Sequence, residues 1–358
     1  MKPALRHIMV SLGKSAPGDG GIFEFSSQLA QRFAAVAPEW AERDRVRFTF
    51  HVRPQLLGRF GDAVDHLPLV RLQRWLHTQP RRYALWHSLH QLNKFLPPRG
   101  CGPRVLTVHD LNYLYDRNAY STWREQRRTR ALFARTDEVV AISQHTAADV
   151  KKHLHWAGPL QVIYNGARNL RSHDKQALPG VDAGRPFLLH LSRMTPSKNP
   201  QAILDMARLW PEMQFLMCGA ASLDAKALAA ANTLPHVQFH LDISDAQKAW
   251  AYEHCAGFVF PSLTEGFGLP PIEAMHFGKP VFLSRRTCLP EIGGAAASYF
   301  DNFEPLAMRQ TVERGIAAAL DPAVPEAVRQ HAAQFDWDRT AKAYLALYRR
   351  LLGLPATP

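Results

Sequence analysis

Short apolar runs alternate with amphipathic stretches along all 358 residues, and this alternation most limits the folds open to the chain. The runs have the length of strands, and the stretches between them carry apolar residues at helical spacing. Strands that alternate with helices assemble into parallel sheets with helices on both faces. Because the series occurs twice, the sequence predicts an α/β protein with two doubly wound, Rossmann-like domains.

The predicted elements divide the chain into two halves. Strands are predicted over 7–12, 47–52, 104–109, 138–142, 161–164, 186–191, 214–218, 236–241, 257–260 and 280–283, and helices over 22–35, 200–209, 245–254 and 305–320. A polar stretch without a clear period, 166–185, is predicted to link an N-terminal domain, 1–165, to a second domain, 186–335. Residues 336–358 are predicted as an amphipathic helix that crosses back to the N-terminal domain.

The composition indicates a soluble globular enzyme, with 46% hydrophobic and 21% charged residues. No run of about 18 apolar residues is present, so no membrane span is predicted. The first apolar run is too short for a secretory signal and is interpreted as a strand. The four cysteines lack metal-ligand spacing, which predicts reduced thiols in a cytoplasmic protein.

The charge is concentrated in the first half of the chain. Residues 1–165 hold 24 Lys and Arg against 13 Asp and Glu, whereas residues 166–358 hold 19 against 18. A basic half suggests an anionic partner: nucleic acid, a phosphorylated acceptor or an anionic membrane. A helix over 122–135 places Arg124, Arg127, Arg128 and Arg135 on one side, which predicts a surface for an acceptor or a membrane. A solvated basic face is the alternative.

Two glutamates flank a glycine loop in the second half. Glu265 and Glu273 lie on either side of a Gly-Phe-Gly turn and a Pro-Pro step, directly after the strand predicted over 257–260. The order of strand, glycine loop and helix N-terminus is typical of phosphate and sugar sites in α/β proteins. Gly266 and Gly268 let the backbone approach a ligand closely. The motif therefore predicts that both carboxylates face one polyhydroxylated ligand.

Two cations lie on the first loop of the predicted second domain. Arg193 and Lys198 follow the strand predicted over 186–191 and precede the helix predicted from Pro200. A guanidinium binds a diphosphate bidentately, and an ammonium adds a compact charge. The loop is predicted to neutralise a departing nucleotide diphosphate, with two solvated cations as the alternative.

The glutamate motif and the Arg193–Lys198 loop together resemble the signature of retaining family-4 glycosyltransferases of the GT-B fold, the type found in bacterial glycan and lipopolysaccharide biosynthesis. Segments 164–166, 215–219 and 289–294 also match, and the resemblance is strong over 160–352 and weaker before it. It implies a GT-B fold, in which two Rossmann-like domains face a cleft, with the acceptor on the first and the donor on the second.

The resemblance assigns roles to the donor-binding residues. Glu273 would bind the ribose hydroxyls, Glu265 the transferred sugar, and Arg193 with Lys198 the leaving diphosphate. Backbone groups of the loop would hold the donor, at Gly266, Phe267, Gly268 and Leu269. No Asp-x-Asp motif is present, and the resemblance implies cationic side chains in place of a metal, with no cofactor.

The first half adds two candidates. His109 ends a predicted strand, and the resemblance implies that it contacts the donor sugar from the edge of the first sheet. Gly20 and Gly21 precede the helix predicted from Ile22, and the resemblance implies that they lie close to the donor phosphate; a plain strand–helix turn is the alternative. His87 and His90 have a spacing that suits a metal on a helix, but packing or cleft lining is the favoured interpretation because no third ligand is nearby.

The predicted function is transfer of a sugar from a nucleotide diphosphate sugar to a hydroxyl of a glycan or lipopolysaccharide-type acceptor, and the resemblance implies that the anomeric configuration is retained. The expected partners are that donor, an anionic glycan or glycolipid acceptor, and the inner face of the cytoplasmic membrane through a peripheral contact. An epimerase or hydrolase built on the same fold is an alternative. A nucleic-acid-binding protein is a second, which the glutamate pair and the lack of an RNA-binding motif disfavour. The motifs do not specify the base or sugar of the donor.

Overall fold

A computed structural model describes residues 4–17, 20–74, 82–95, 97–98, 100–116, 119–182 and 184–356. The chain forms two compact units. Unit 1 comprises Met1–Gly166 and Asp336–Pro358, and unit 2 comprises Ala167–Phe335. The chain therefore leaves unit 1 once and returns to it for its last residues.

Unit 1 is built on a parallel sheet of seven described strands: β1 (Arg6–Ser11), β2 (Val46–Val52), β3 (Asp65–Pro68), β4 (Leu85–Ser88), β5 (Arg104–Val108), β6 (Glu138–Ala141) and β7 (Leu160–Val162). Their order is β3-β2-β1-β4-β5-β6-β7, so the direction of winding reverses between β1 and β4. The helices that precede the second unit are α1 (Gly21–Arg43), α2 (Tyr113–Asp116), α3 (Ala119–Phe133) and α4 (Gln144–Leu154). Short 3-10 turns lie at Pro54–Leu56 and Arg71–Arg74.

Unit 2 has the same architecture with six described strands: β8 (Phe187–Leu191), β9 (Gln214–Gly219), β10 (Val237–Leu241), β11 (Gly257–Phe260), β12 (Val281–Ser284) and β13 (Ser298–Phe300). All neighbouring pairs are parallel, in the order β10-β9-β8-β11-β12-β13. Its helices are α5 (Pro200–Arg208), α6 (Leu223–Ala231), α7 (Asp245–His254), α8 (Leu269–His276), α9 (Leu289–Gly293), α10 (Pro305–Ala318) and α11 (Ala323–Ala332). The reversal here lies between β8 and β11.

The central strands of both sheets are buried on their two faces, as is usual in parallel sheets. In unit 1, Ile8 and Val10 of β1 and Phe48 and Phe50 of β2 have no exposed area. Their neighbours in the core include Phe25 and Phe33 of α1. The predicted α/β class, with two doubly wound parallel sheets, is confirmed.

The last helix, α12 (Trp337–Leu351), packs in unit 1. Tyr344 and Tyr348 are fully buried in its core. The Tyr348 hydroxyl contacts His87 Nδ1 at 2.5 Å, and the other ring nitrogen of His87 contacts Thr107 Oγ1 at 2.8 Å. Both ring nitrogens of His87 are therefore engaged by hydroxyl groups inside the protein.

The segment predicted as a linker is packed on unit 2. Arg168 forms an ion pair with Asp245 at 2.7 Å, and the backbone N–H of Gln176 donates to the carbonyl of Ala246 at 3.1 Å. Leu170 is fully buried. The structural boundary therefore falls between Gly166 and Ala167, and the described residues of the aperiodic stretch after it belong to unit 2.

The predicted strands agree with the structure to within two residues, but β3, β4 and β13 were not predicted. They are only three or four residues long, and β4 carries two polar side chains, His87 and Ser88, so none shows an apolar run. Helix α1 was predicted to end before Pro38, which the structure places inside it. The helix continues beyond this proline because Trp40, 3% exposed, packs in the core.

In the described part of the chain, no helix has both the length and the apolar character needed to cross a bilayer. All four cysteines are free thiols, as predicted; Cys101 is half-buried, and Cys218, Cys255 and Cys288 are buried.

Candidate functional site

The two loops singled out in the second half leave neighbouring strands of unit 2. The loop with Arg193 and Lys198 follows β8, and the loop with Glu265 follows β11, which pairs with β8. The sheet order reverses between these two strands. In open parallel sheets, the crevice beyond the carboxyl ends of strands at such a reversal is where ligands bind. The fold therefore brings the two motifs to one edge.

Lys198 and Glu265 form a direct ion pair. The Lys198 ammonium donates to Glu265 Oε1 at 2.7 Å and to the Thr264 carbonyl at 3.2 Å. The two side chains are 20% and 12% exposed, so the pair is largely shielded from solvent. The described contacts use two of the three protons on the ammonium. Through its third proton, Lys198 can donate to an anionic ligand while it remains paired with Glu265.

Backbone hydrogen bonds join the two loops. The Ser197 carbonyl accepts from the Leu263 N–H at 2.7 Å and from the Ser262 hydroxyl at 3.1 Å. Ser262 is fully buried. Because polar groups on both loops are satisfied by each other, Lys198 and Glu265 are held at a fixed separation.

Gly268 sets the start of helix α8. Its φ of 100° and ψ of 61° are left-handed, and a Cβ there would lie 2.9 Å from Leu289 Cδ2. Both features require glycine. Pro270 and Pro271 then fall in the first turn, where the missing N–H groups need no helical partner. Gly266 and Phe267 are both buried, and Phe267 is only 4% exposed. Leu269 is the first residue of the helix.

Glu273 lies in the second turn of α8 and is held by a buried tyrosine. The Tyr252 hydroxyl donates to Glu273 Oε2 at 2.9 Å. Burial and the nearby Glu273 charge raise the pKa of Tyr252 well above its usual value, so this hydroxyl remains a donor. The contact fixes the orientation of the Glu273 carboxylate before any ligand binds.

Two further side chains position the site, those of His190 and Ser192, and sequence reasoning did not find them. His190 Nδ1 donates to the Val259 carbonyl at 2.8 Å, so its Nε2 accepts from the Ser192 hydroxyl at 2.7 Å. Ser192 Oγ in turn accepts from the Met194 N–H at 2.9 Å. Burial lowers the pKa of His190 to about 4, so the imidazole ring stays neutral at physiological pH and keeps this tautomer. The chain of bonds fixes the loop that carries Arg193.

The glutamate loop is held from its other side by the residues that follow β12. The Glu265 N–H donates to Thr287 Oγ1 at 3.1 Å, and the Cys288 thiol donates to the Phe267 carbonyl at 3.2 Å. Thr287 itself has a φ of 52°. These contacts hold the backbone of the loop in place without using the Glu265 carboxylate.

Arg193 stands apart from this network. Its side chain is exposed, and its carbonyl accepts from the Ser222 hydroxyl at 2.9 Å. Within the described residues, no contact joins its guanidinium to Lys198 or Glu265. Its predicted role in binding a diphosphate stays a prediction.

In unit 1, His109 follows β5 and is 5% exposed. Its Nε2 donates to the Leu89 carbonyl at 2.9 Å, so Nδ1 carries the lone pair. The Phe25 and His109 rings meet in a T-shaped contact, with centroids 4.6 Å apart and planes 85° apart. Burial lowers the pKa of His109 to about 4. At neutral pH His109 is therefore an uncharged group with one acceptor nitrogen, unsuited to neutralising a phosphate.

Gly20 and Gly21 begin helix α1. Gly20 has a φ of 65° and ψ of −137°, and its carbonyl accepts from the Glu24 N–H at 3.1 Å. This backbone conformation favours glycine. Residues 18 and 19 of the same loop lie outside the described residues. The proximity of this glycine pair to a donor phosphate remains a prediction.

Comparisons with known proteins add the family. Residues 22–168 match the model of Glycosyltransferase Family 4, and residues 173–301 match that of Glycosyl transferases group 1. The chain is 30% identical over 280 residues to the serotype-specific mannosyltransferase WbdA of Escherichia coli, covering 69% of this chain and 33% of that protein. It is 28% identical over 244 residues to a D-inositol 3-phosphate glycosyltransferase of Mycolicibacterium vanbaalenii, covering 61% and 54%. The chain thus spans about a third of the length of the Escherichia coli relative and about half of the length of the Mycolicibacterium relative.

Solved structures show the same fold. Sucrose-phosphate synthase from Thermosynechococcus elongatus superimposes with a TM-score of 0.74 at 19% identity, covering 97% of this chain and 99% of that one. Anabaena Alr3699/HepE, solved in complex with UDP and glucose, gives 0.66 at 17% identity, covering 96% and 99%. The two doubly wound parallel sheets, with paired loop motifs at a sheet reversal, agree with the matches to both family models. The chain belongs to the family-4 glycosyltransferases of the GT-B fold.

Proposed function

We propose that the protein transfers a sugar from a nucleotide diphosphate sugar to a hydroxyl of a glycan or lipopolysaccharide-type acceptor, with retention of anomeric configuration. The observation that carries the proposal is the Lys198–Glu265 ion pair at the sheet reversal of unit 2. It sets a cation and a carboxylate side by side, as a ligand with a diphosphate next to a sugar requires.

In this proposal each group of unit 2 has one task. Glu273, oriented by Tyr252, accepts hydrogen bonds from the ribose diol of the donor. Lys198 donates to the diphosphate as negative charge builds up on it, and Glu265 accepts from a hydroxyl of the transferred sugar. Such preorganised groups stabilise the transition state without moving. The leaving phosphate takes the acceptor proton as the acceptor attacks from the same face.

The relatives support the substrate classes. The name of the Escherichia coli protein indicates mannosyl transfer, which supports a hexosyl donor. The name of the Mycolicibacterium protein indicates an inositol phosphate, which supports a hydroxyl acceptor with an anionic group. The basic first half of this chain fits such an acceptor. Epimerisation or hydrolysis of the donor would instead yield product without an acceptor.

The donor site is tested by replacing Glu273 with glutamine. The amide still accepts from Tyr252 but loses its charge and one acceptor for the ribose diol. A charged hydrogen bond contributes about 1.5–3 kcal/mol, so we expect at least tenfold weaker binding of the preferred nucleotide sugar. Titration calorimetry against UDP-, GDP-, ADP- and CMP-sugars measures this.

The matched control is Glu253→Gln, on helix α7 of the same unit, where the carboxylate pairs with Lys175. Donor binding should be unchanged in it. Running the titration with excess chelator also tests the proposal that no metal ion is required. Equal affinity in the wild type and Glu273→Gln would show that Glu273 does not contact the donor.

We also propose that helix α3 makes a peripheral contact with an anionic membrane. Arg124, Arg127 and Arg128 are exposed on this helix. Two aromatic rings lie beside them, Tyr120 at 70% and Trp123 at 55% exposed, stacked with centroids 6.2 Å apart. Exposed aromatic rings among arginines are typical of surfaces that bind the headgroup region. Arg135 lies beyond the end of the helix at Phe133.

Replacing Arg124, Arg127 and Arg128 together with glutamine should weaken binding to vesicles of phosphatidylglycerol. Each arginine near an anionic surface contributes about 1 kcal/mol, so the triple variant should lose roughly 100-fold in partition coefficient at low salt. Vesicle sedimentation measures it. The control changes three exposed arginines elsewhere, Arg208, Arg314 and Arg339. Equal binding of both triple variants would contradict a specific contact through α3.

A further inference from the structure

Unit 1 contains a basic cleft whose lining includes none of the predicted site residues. It has a volume of about 240 Å³ and is lined, among the described residues, by Lys14, Arg53, Pro54, Leu69, Arg71 and Phe95. Three of these side chains are cations and the other three are apolar. The cleft is smaller than the pockets that hold drug-sized ligands, which favours a small ligand or the end of a larger one.

The cleft lies where ligands bind in this type of sheet. Lys14 follows β1, Arg53 follows β2 directly, and Arg71 comes shortly after β3. These three strands are neighbours in the order β3-β2-β1, so their carboxyl ends share one edge. The cations therefore converge through the topology of the sheet, although 39 and 18 residues separate them along the chain.

A chain of hydrogen bonds, buried at its Ser11 end, fixes the loops of the cleft. Asn93 Nδ2 donates to Ser11 Oγ at 2.8 Å, and Ser11 Oγ contacts His51 Nδ1 at 3.2 Å. His51 Nε2 lies 2.9 Å from Gln73 Oε1, which also accepts from the Val70 N–H at 2.8 Å. Since Gln73 Oε1 is an acceptor, His51 carries its proton on Nε2 and accepts from Ser11.

This chain ties the ends of β1 and β2 to the turn that carries Arg71. Ser11 and His51 have no exposed area, so the bonds at this end form away from water, whereas the bonds of Gln73 are partly exposed. The Phe95 ring meets the His51 ring edge-on, with centroids 5.1 Å apart. The apolar wall and the cationic side of the cleft are therefore preorganised on one scaffold, which reduces the cost of binding.

We infer that this cleft binds the phosphate group of a phosphorylated sugar or polyol, and that this group belongs to the acceptor. Arginine matches the geometry of phosphate oxygens bidentately, and lysine adds a point charge. Leu69, Pro54 and Phe95 offer apolar surface to the carbon face of the adjoining ring. The assignment to the acceptor rests on the proposed glycosyl transfer, and it deepens that function by naming the anionic group.

The test uses a matched pair of ligands, glucose 6-phosphate and glucose, titrated into the 358-residue protein. We expect glucose 6-phosphate to bind at least tenfold more tightly than glucose. Arg53→Gln combined with Arg71→Gln should remove this difference, and Arg71→Gln alone, at an exposed position, should reduce it severalfold without a change in Tm. The control Arg82→Gln removes one exposed arginine near the amino end of β4, at the opposite edge of the sheet, and should bind as the wild type does.

A second arm distinguishes a soluble phosphate from a lipid headgroup. If the double variant loses binding to glucose 6-phosphate but binds phosphatidic acid vesicles as the wild type does, the ligand is a soluble sugar or polyol phosphate. If it loses both, a phospholipid acceptor also uses the cleft. Equal affinity for glucose and glucose 6-phosphate in the wild type would overturn the inference. So would phosphate-dependent binding that persists in the double variant and disappears in Lys198→Met.

Donor binding separates this inference from the proposed function. The double variant should bind the nucleotide sugar with unchanged affinity, because neither Arg53 nor Arg71 is among the residues predicted to contact the donor. Intact donor binding without any phosphate preference would refute the cleft and leave glycosyl transfer standing. Phosphate binding at the cleft without binding of any nucleotide sugar would refute glycosyl transfer and the acceptor assignment, leaving a phosphate site of another function.

Discussion

Lys198→Met is expected to lower kcat for sugar transfer by about a thousandfold. The Lys198 ammonium lies 2.7 Å from Glu265, the carboxylate that we propose binds the transferred sugar. Removing one preorganised donor that faces developing charge costs about 10²–10³ in rate in well-studied enzymes. Because diphosphate charge increases as the glycosidic bond breaks, kcat should fall more than KM rises.

The same substitution also removes the partner of Glu265, which is only 12% exposed. Thermal unfolding must therefore be measured beside the kinetics, so that a loss of fold is separated from a loss of catalysis. Lys198→Arg keeps the charge and should retain more activity than Lys198→Met. Lys175→Met removes a lysine paired with Glu253 in the same unit and should keep full activity. A kcat within tenfold of the wild type in Lys198→Met would refute the proposed role.

The fold was predictable because its signal is distributed along the chain. Strands such as β8 and β11 are apolar on both faces, and a run of this kind is recognised without knowledge of its neighbours. Strand β3 is different, because its four residues are all partly exposed and end in Pro68. It exists as an edge strand paired with β2, and that pairing is not visible in the local sequence.

The site was predictable only in part, for a similar reason. Glu265 and Lys198 are 67 residues apart, and their motifs identified them before the structure showed the ion pair. Tyr252 and His190 carry no motif. A buried tyrosine on α7 and a histidine inside β8 look like core residues in the sequence. Their importance comes from what they contact, which only the tertiary structure supplies.

His109 shows the limit of a motif-based assignment. Its position after β5 was predicted, but its protonation state depends on burial and on the Leu89 carbonyl. The sequence contains no signal for either. The basic cleft around Arg53 and Arg71 was also not predicted, because its residues follow three strands, one of which, β3, was missed.

The second large effect concerns helix α12, where Arg349→Met should destabilise unit 1 by about 3 kcal/mol. Arg349 binds Asp44 bidentately, at 2.7 and 3.2 Å, and the two side chains are 4% and 6% exposed. Its guanidinium also lies 5.2 Å from the centre of the Trp40 ring. Removing one partner of a buried pair leaves an uncompensated charge, which costs about 3–5 kcal/mol. Arg43, at 3.1 Å from Asp44, compensates in part.

Because a chain with two units need not unfold in one step, hydrogen exchange of the α12 amides is the appropriate measurement. Arg339→Met, an exposed arginine on the same helix, is the control and should change the free energy of opening by less than about 0.5 kcal/mol. Equal protection of α12 in both variants would contradict a stabilising role for the pair.

The pH dependence of this effect follows from Asp44. Burial acts to raise the pKa of its carboxyl, but hydrogen bonds from Arg349 and Arg43 outweigh it and hold the pKa below its usual value. A carboxyl with a lowered pKa in the folded state stabilises that state above its unfolded pKa, about 4, and loses this contribution as the pH falls further. The difference between wild type and Arg349→Met should therefore be constant from pH 6 to 8 and shrink below about pH 4. A difference that persists undiminished at the lowest pH would assign the effect to lost packing against Trp40 instead of the ion pair.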